Sequence, residues 1–229
     1  MNIPKIIHHV CDYPNGIPGF LQELAKTWKD HHPNWEQRFW NKQQMEHFVH
    51  MICADFKPYY YAFPHNVQRW DAIRYLILYH IGGMYVDLDY ECFESFDEVL
   101  SRQDCYIVTE PAIHAKYNGL DVMLSNALMA AAPGSKFISR IISELKTQDQ
   151  ASFTDFEIYK TVLNTTGPLM LSRVYESLKT KEEVSLLPAD LFMPLTPGEV
   201  ALALQDKADE HIDNKLYGAY SVHYFLNSW

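Results

Sequence analysis

This sequence of 229 residues lacks the features of a membrane span, a secretory leader or a zinc-stabilised fold. No window approaches the roughly twenty apolar residues that a membrane-spanning helix needs. The opening MNIPKIIHHV has no basic segment followed by an apolar one, as a signal peptide would. The four cysteines show no C-x-x-C pair and no zinc-finger spacing, so reduced structural thiols are expected. These absences predict a cytoplasmic protein, with contact at the inner face of a membrane as the alternative.

Positive charge is also scarce, because 19 Lys and Arg residues stand against 29 Asp and Glu residues, a formal net charge of -10. The chain has no Lys/Arg run, so neither a nucleic-acid partner nor a polybasic membrane anchor is expected. An anionic ligand must then meet a local Arg or Lys, a helix N-terminus or a bound metal. Apolar residues, at 48%, are sufficient for a substantial core. We expect one domain over residues 1–229.

Strand and helix patterns alternate along the chain. Strands are predicted at 5–10, 36–40, 105–109, 184–187 and 217–225, and helices at 20–30, 42–50, 136–145 and 168–179. Segment 126–132 fits a strand or a short helix, 200–215 fits a helix or a mobile insert, and the aromatic run at 57–61 indicates a break. The alternation predicts an α/β fold with a largely parallel central sheet. Its ligand crevice is expected at the carboxyl ends of the strands.

The most informative segment, 66–91, reads NVQRWDAIRYLILYHIGGMYVDLDYE. A helical pattern stops at Gly82-Gly83, and a short apolar strand then ends in Asp87-Leu88-Asp89. Successive side chains of a strand alternate between faces, so Asp87 and Asp89 are expected to project together, with Tyr85 on the same face. Two carboxylates held that close repel one another and are tolerated mainly with a cation between them. The segment therefore predicts a divalent-metal site.

In the preceding helix, Asp71 and Arg74 are spaced i, i+3 and share a face. Such a pair in isolation is more often a solvated salt bridge than a functional site. Here the Gly-Gly stop returns the chain directly to the Asp87 strand, so both residues are expected to line the same crevice as the metal. Arg74 would then bind a phosphate or hydroxyl, and Asp71 would accept hydrogen bonds from sugar hydroxyls.

The order Asp71-x-x-Arg74-Tyr75, Leu78-Tyr79-x-x-Gly82-Gly83-x-Tyr85-x-Asp87-x-Asp89 resembles the DXD sugar-nucleotide glycosyltransferases. The sequence is most similar to the capsular-polysaccharide and Och1-type mannosyltransferase-like family, which is related to the large clostridial glucosylating toxins. Further family-like pieces follow in the same order along nearly the whole chain: Ile3-Pro4-Lys5-Ile6-Ile7-His8, His32-Pro33-Asn34-Trp35-Glu36, Ser125-Asn126-Ala127, and His223 with Asn227-Ser228-Trp229.

This resemblance implies a GT-A fold, a Rossmann-like nucleotide-sugar domain, with the donor bound by about residues 1–110 and the acceptor side and closing tail in about 111–229. It implies metal ligation by Asp87, Asp89 and His223, and an imidazole ligand favours manganese over magnesium. The implied catalytic residues are Asp71, Arg74 and Asp89. The implied donor-binding residues are Ile7, His8, Asp71, Arg74, Gly83, Tyr85, Asp87, Ser228 and Trp229. One position departs from the family pattern, since Cys11 stands where a Trp is common.

The expected function is metal-dependent transfer of a hexose or N-acetylhexosamine, with UDP as the first candidate base. The resemblance implies a saccharide or lipid-linked saccharide acceptor, retention of anomeric configuration and a place in bacterial surface-polysaccharide synthesis. Segment 111–119, with His114, Lys116 and Tyr117, is the candidate acceptor-side loop. Two alternatives stay open. One is a nucleotidyltransferase or phosphohydrolase, which also uses paired aspartates, and the other is a noncatalytic sugar-nucleotide binding module.

Overall fold

The computed structural model describes residues 3–147 and 158–226 of the chain. Its strands are β1 (Ile6–Val10), β2 (Glu36–Trp40), β3 (Gly83–Val86), β4 (Tyr90–Cys92), β5 (Cys105–Thr109), β6 (Leu124–Ala131), β7 (Ser185–Leu187) and β8 (Ser221–His223). Six of them form a central sheet in the order β2-β1-β3-β6-β5-β7, and β4 pairs with β8 in a small second sheet. β6 runs antiparallel to both of its neighbours, and the remaining pairs of the large sheet are parallel. The predicted α/β fold with a mostly parallel sheet is confirmed.

Helices cover the sheet. They are α1 (Gly19–His31), α2 (Lys42–Met51), α3 (Lys57–Ala62), α4 (Asn66–His80), α5 (Ala112–Tyr117), α6 (Lys136–Thr147), α7 (Ile158–Thr165), α8 (Pro168–Glu176), α9 (Ala189–Phe192), α10 (Pro197–Ala203) and α11 (Glu210–Leu216). Segment 57–61, predicted as a break, lies in α3, because a Pro near a helix start costs no hydrogen bond. Segment 126–132 is β-structure up to Ala131, where β6 ends, and 200–215 contributes to two short helices. The last predicted strand is shorter than expected and spans Ser221–His223.

The alternation of side chains along β3 divides the core between the two faces of the sheet. Tyr85 belongs to a large apolar cluster with residues of α2, α4, α6 and α8. Met84 and Val86 belong to a second cluster on the other face, with Trp28 of α1. β3 is buried on both faces, as expected of a central strand. The residues that directly follow it are therefore held by a rigid support.

Gly82 and Gly83 connect α4 to β3 in backbone conformations that favour glycine. Their φ angles are +75° and +105°. A Cβ atom on Gly82 would lie 2.6 Å from Cδ of Pro133, and one on Gly83 would lie 2.5 Å from the Ile6 carbonyl oxygen. This close approach lets a 15-residue helix turn straight into the central strand. The helix and the carboxyl end of the strand are thereby brought to one side of the sheet.

Candidate active site

The two aspartates of the DXD motif lie just beyond the carboxyl end of β3. The strand ends at Val86, and the next residues turn, with the Tyr90 amide donating to the Asp87 carbonyl at 3.2 Å. The expectation that strand alternation aligns the two carboxylates is therefore wrong, because Asp87 and Asp89 lie in this turn. The turn still directs both carboxylates to one site. Leu88 between them packs into a small apolar cluster with Cys11.

His223 completes a group of three potential metal ligands. One ligand atom from each of Asp87, Asp89 and His223 lies within 4.8 Å of the other two. The pairing of β4 with β8 sets Tyr90 opposite His223, and their rings stack with centroids 4.5 Å apart. The imidazole Nε2 lies 3.2 Å from Oδ1 of Asp89, while its buried Nδ1 has no hydrogen-bond partner in the described ranges. Two carboxylates and an incompletely satisfied imidazole fit a divalent cation.

Arg74 connects the helix to the DXD turn. Its guanidinium lies 3.0 Å from Oδ1 of Asp71 and 3.3 Å from Oδ1 of Asp87. It also donates to the Asn126 carbonyl at 2.9 Å and lies over the Tyr85 ring, 4.6 Å from its centroid. The alternative of a solvated surface pair does not apply, because the Asp71 and Arg74 side chains are only 6% and 9% exposed. Arg74 therefore pairs with two carboxylates at once and offsets part of their combined charge.

Asp71 has hydrogen-bond partners on both carboxylate oxygens. Oδ1 accepts from the Asn126 amide at 3.0 Å and forms an ion pair with the Arg74 guanidinium, also at 3.0 Å, and Oδ2 accepts from the Thr166 hydroxyl at 2.7 Å. An ionised carboxylate has about four acceptor positions. Hydrogen bonds from the protein fill two of them and the Arg74 guanidinium lies beside Oδ1, so the carboxylate retains the capacity to accept from a ligand hydroxyl.

Burial and charge act against one another in this group. Burial raises the pKa of Asp71 and of Asp87, and Arg74 offsets part of that effect. Burial alone would raise the pKa of Asp89, but attraction to His223 and their hydrogen bond leave that pKa lowered. Burial likewise opposes protonation of His223, yet Asp89 leaves the pKa of His223 raised. Asp89 and His223 therefore each favour the charged form of the other in the absence of a cation.

All of these groups line one cavity of about 410 Å³. That volume lies within the usual size range of small-molecule sites. Aromatic and apolar side chains form part of the wall, including Tyr13, Trp70 and Tyr117. The polar part of the wall is formed by Asp71, Arg74, Asp87, Asp89, Glu110, His114, Ser125, Asn126 and His223.

Several residues predicted to contact the donor lie away from this cavity. Ile7 is completely buried in the core. The His8 ring is buried between the Gly82 carbonyl, 2.9 Å from Nε2, and the Trp40 indole, 3.1 Å from Nδ1. Gly83 packs directly against the backbone of β1. These three residues lie outside the cavity wall because neighbouring strands and helices cover them, so the structure does not support their predicted contact with a donor.

Four further positions singled out in the sequence have different outcomes. Tyr85 lines the cavity and donates its hydroxyl to Asp87 at 2.5 Å, so it supports the carboxylate. Cys11 is buried beside Leu88, and Tyr13 contributes an aromatic ring to the cavity nearby. Ser228 and Trp229 lie outside the described residues.

The sequence analysis missed the roles of Asn126 and Thr166 as the partners of Asp71. Both are buried. Asn126 sits in a segment that carried part of the family resemblance, and Thr166 directly precedes a Gly-Pro helix start. Nothing local in either pattern indicates a partner more than fifty residues away, so only the folded chain identifies these contacts.

A mostly parallel α/β sheet with paired aspartates beyond β3, and a histidine brought beside them by a small second sheet, is typical of the class of GT-A glycosyltransferase folds. The fold is shared with the solved PaToxG Glycosyltransferase, at a TM-score of 0.58 and 15% identity, over 95% of this chain and 85% of that one. Residues 18–106 match the family described as "Glycosyltransferase sugar-binding region containing DXD motif". The chain therefore contains a DXD-motif glycosyltransferase domain, and the predicted family is confirmed.

Curated relatives are fungal. Inositol phosphoceramide mannosyltransferase 1 of Schizosaccharomyces pombe is 32% identical over 196 residues, which are 83% of this chain and 57% of that protein. Mannosyl phosphorylinositol ceramide synthase SUR1 of Saccharomyces cerevisiae is 32% identical over 177 residues, or 77% of this chain and 43% of that protein. The chain thus spans about half the length of the curated relatives it matches. Among its described helices, none is long and apolar enough to cross a membrane.

Proposed function

We propose that this protein transfers a hexosyl group from a nucleoside-diphosphate sugar to a hydroxyl of a saccharide or other polyol. The observation that supports this most strongly is the convergence of three metal ligands with the Asp71–Arg74 pair in one cavity. A nucleotidyltransferase or phosphohydrolase also pairs aspartates, but the family match favours glycosyl transfer. A noncatalytic binding module is the alternative that the experiment below excludes or supports.

In this proposal Asp87, Asp89 and His223 hold a divalent cation, and the imidazole favours manganese over magnesium. When bound, such a cation supplies charge stabilisation for a departing diphosphate. Asp71 uses its remaining acceptor position to orient a hydroxyl of the donor sugar. Arg74 keeps Asp71 and Asp87 in place, since its donors are engaged with both carboxylates and with Asn126.

We further propose that the reaction retains the anomeric configuration by a front-face route. The acceptor oxygen bonds to the anomeric carbon on the face from which the diphosphate leaves. The electron pair of the broken bond stays with the diphosphate, and a phosphate oxygen takes the acceptor proton. This route requires no carboxylate placed as a covalent nucleophile. NMR of the product tests it, and a product anomer opposite to that of the donor would refute retention.

The relatives suggest which sugar and acceptor to examine first. Their names specify mannosyl transfer, and the names also contain an inositol-bearing lipid. Mannose is therefore our proposed hexose, and a polyhydroxylated ring, free or carried on a lipid, is our proposed acceptor. UDP remains the first candidate base from the sequence. These fungal relatives lend no support to the expected role in bacterial surface-polysaccharide synthesis, and we propose no pathway.

The test is a panel of UDP- and GDP-linked mannose, glucose, galactose and N-acetylglucosamine, each with manganese, magnesium or EDTA. Release of free nucleotide and the shift in melting temperature are measured together. We expect at least one donor to give manganese-stimulated nucleotide release that EDTA abolishes. A metal-dependent thermal shift without release from any donor would support the noncatalytic module. Neither response from any donor would refute the proposed donor site.

A further inference from the structure

A second pair of polar groups lines the cavity apart from the DXD turn. Glu110 directly follows β5, and His114 lies one helical turn later, in α5. Oε2 of Glu110 and Nδ1 of His114 are 2.8 Å apart. The Glu110 side chain is only 9% exposed and that of His114 is 22% exposed. Among the described residues, His114 is the hydrogen-bond partner of the Glu110 carboxylate.

The contact with Glu110 fixes which imidazole nitrogen is left for a ligand. A carboxylate only accepts hydrogen bonds, so the proton of a neutral His114 ring resides on Nδ1. Nε2 then carries a lone pair and accepts from a hydroxyl. The backbone around His114 is held as well, because the His114 amide donates to the Pro111 carbonyl at 2.8 Å. The ring is thus preset as a hydrogen-bond acceptor before any ligand binds.

This pair lies beside the candidate metal group and is distinct from it. The Phe225 ring is an edge-on neighbour of His114, with centroids 5.9 Å apart, and lies 4.2 Å from the centroid of His223. Tyr117, one turn along α5 from His114, lines the same cavity and is 81% exposed. Aromatic rings beside fixed hydrogen-bonding groups are a common arrangement for sugar rings, which present apolar faces and polar edges.

We propose that Glu110 and His114 form the acceptor subsite, in which Nε2 of His114 accepts a hydrogen bond from a hydroxyl of a polyhydroxylated ring. Glu110 is the positioning residue, since it sets the tautomer and orientation of the imidazole. This assignment rests on the proposed glycosyl transfer. The sequence predicted only that segment 111–119 lies on the acceptor side. The proposal specifies two residues on that side, Glu110 directly after β5 and His114 in α5.

The effect of a substitution on acceptor binding is distinguished from its effect on the donor site by measuring two reactions, hydrolysis of the donor and transfer of the sugar to an acceptor. With the donor from the panel that gives metal-dependent nucleotide release, hydrolysis is followed without acceptor, and glycoside formation is followed with myo-inositol or methyl α-mannoside. We expect H114N to raise the KM for the acceptor by about tenfold, the size of one lost hydrogen bond to an imidazole paired with a charge. Binding of the nucleoside diphosphate with manganese should change less than about twofold. E110Q keeps an acceptor for Nδ1 and should give an intermediate effect.

The matched control is H211N. His211 also pairs with a glutamate, Glu199, at 3.5 Å, but this pair is on the surface and does not line the cavity. H211N should leave the acceptor KM unchanged. If H114N lowers donor binding and acceptor binding equally, or unfolds while E110Q behaves as wild type, the pair is structural and the assignment is wrong. If neither probe adds to nucleotide release by the wild type, the polyol assignment fails while the donor site stands. Absence of metal-dependent nucleotide release would instead refute the proposed function itself.

Discussion

Arg74 is the residue on which the candidate site depends most. It lies between two carboxylates that would repel one another at close range, and it is 7% exposed. A lysine could not replace it, because a point charge cannot contact Asp71, Asp87 and the Asn126 carbonyl from one plane. Burying three charges is costly unless each is paired and hydrogen-bonded. Here Arg74 forms ion pairs with Asp71 and Asp87 and donates a hydrogen bond to the Asn126 carbonyl, so all three charges are paired.

Replacement of Asp89 tests whether its carboxylate is a ligand for the proposed cation. Asp89→Asn keeps the size of the side chain but weakens a ligand for the cation. We expect metal-dependent turnover to fall about 100-fold or more, with a smaller loss of melting temperature, because Asn retains one oxygen to accept a hydrogen bond but loses the charge beside His223. Asp121→Asn, at an exposed turn position, is the control and should be neutral. Wild-type turnover by the Asp89 variant would contradict ligation by Asp89.

Thr166 tests the support of Asp71. Thr166→Val removes the hydroxyl that donates to Oδ2 of Asp71 at 2.7 Å and keeps the shape of the side chain. Because a buried carboxylate then has one partner fewer, we expect a loss of about 1–3 kcal/mol in the free energy of unfolding and a lower kcat. Thr166→Ser, which retains the hydroxyl, should recover most of both. Urea unfolding and kinetics of the two variants are compared, and equal values would argue against this hydrogen bond.

At the scale of elements, α4 and β3 act as one unit joined by two glycines. The helix presents Asp71 and Arg74, and the strand leads into Asp87 and Asp89. A longer connection would separate Asp71 and Arg74 from the two aspartates, whereas the turn at Gly82 and Gly83 keeps the Arg74 guanidinium 3.3 Å from Oδ1 of Asp87. This unit could be predicted from the sequence because its helix, its two glycines and its strand are consecutive in the chain.

Gly83→Ala should be among the most destabilising single-methyl changes in the chain. The added Cβ would lie 2.5 Å from the Ile6 carbonyl oxygen, at a φ of +105° that side chains rarely adopt. We expect a loss of about 3 kcal/mol or more in the free energy of unfolding. Gly198→Ala is the matched control, since Gly198 lies in α10 with open space around it. It should be neutral or stabilise by up to about 1 kcal/mol, and equal effects in urea melts would contradict the close approach.

At the scale of the whole molecule, the site joins distant parts of the chain. β8 pairs with β4 and brings His223 to Asp89, 134 residues away. The segment ending in Thr166 contacts Asp71, 95 residues away, and β6 supplies Asn126. Each contact forms only when the sheet and its helices are assembled. The arrangement of the candidate site should therefore be lost together with the folded structure on unfolding.

That global stability should depend on pH through the buried histidines of β1. His8 and His9 both have a pKa lowered from 6.5 to about 4, chiefly by burial. The His8 ring also has no place for a second proton, because Nδ1 already accepts from Trp40. Between pH 6.5 and about pH 4 these histidines are protonated in the unfolded chain but not in the folded one, so the free energy of unfolding falls as the pH is lowered.

We expect His8 to contribute about 2 kcal/mol of lost stability between about pH 7.5 and about pH 5. Asp71 and Asp87 act in the opposite direction, since their pKa values are raised by burial. The contribution of His8 is therefore isolated as the difference between the wild type and His8→Asn in urea unfolding at both pH values. Exposed His47→Asn serves as the control and should keep the wild-type dependence. Identical dependence in all three proteins would refute the assignment.

The sequence by itself determined the α/β class, the run from Asp71 to Asp89 and the glycosyltransferase family, because periodicity, glycine stops and motif spacing are local properties of the chain. It also identified His223 as a candidate ligand, through resemblance. It did not indicate that Ile7, His8 and Gly83 lie away from the cavity, since a motif on a central strand does not reveal which side chains both neighbouring layers cover.

Only the tertiary structure decided that a turn directs Asp87 and Asp89 together, that Asn126 and Thr166 hold Asp71, and that Glu110 and His114 share the cavity with them. The physical reason is that hydrogen bonds and charge pairing act over a few ångströms in space. Residues far apart in the chain come that close only when burial of the two apolar faces of the sheet fixes every strand in its register.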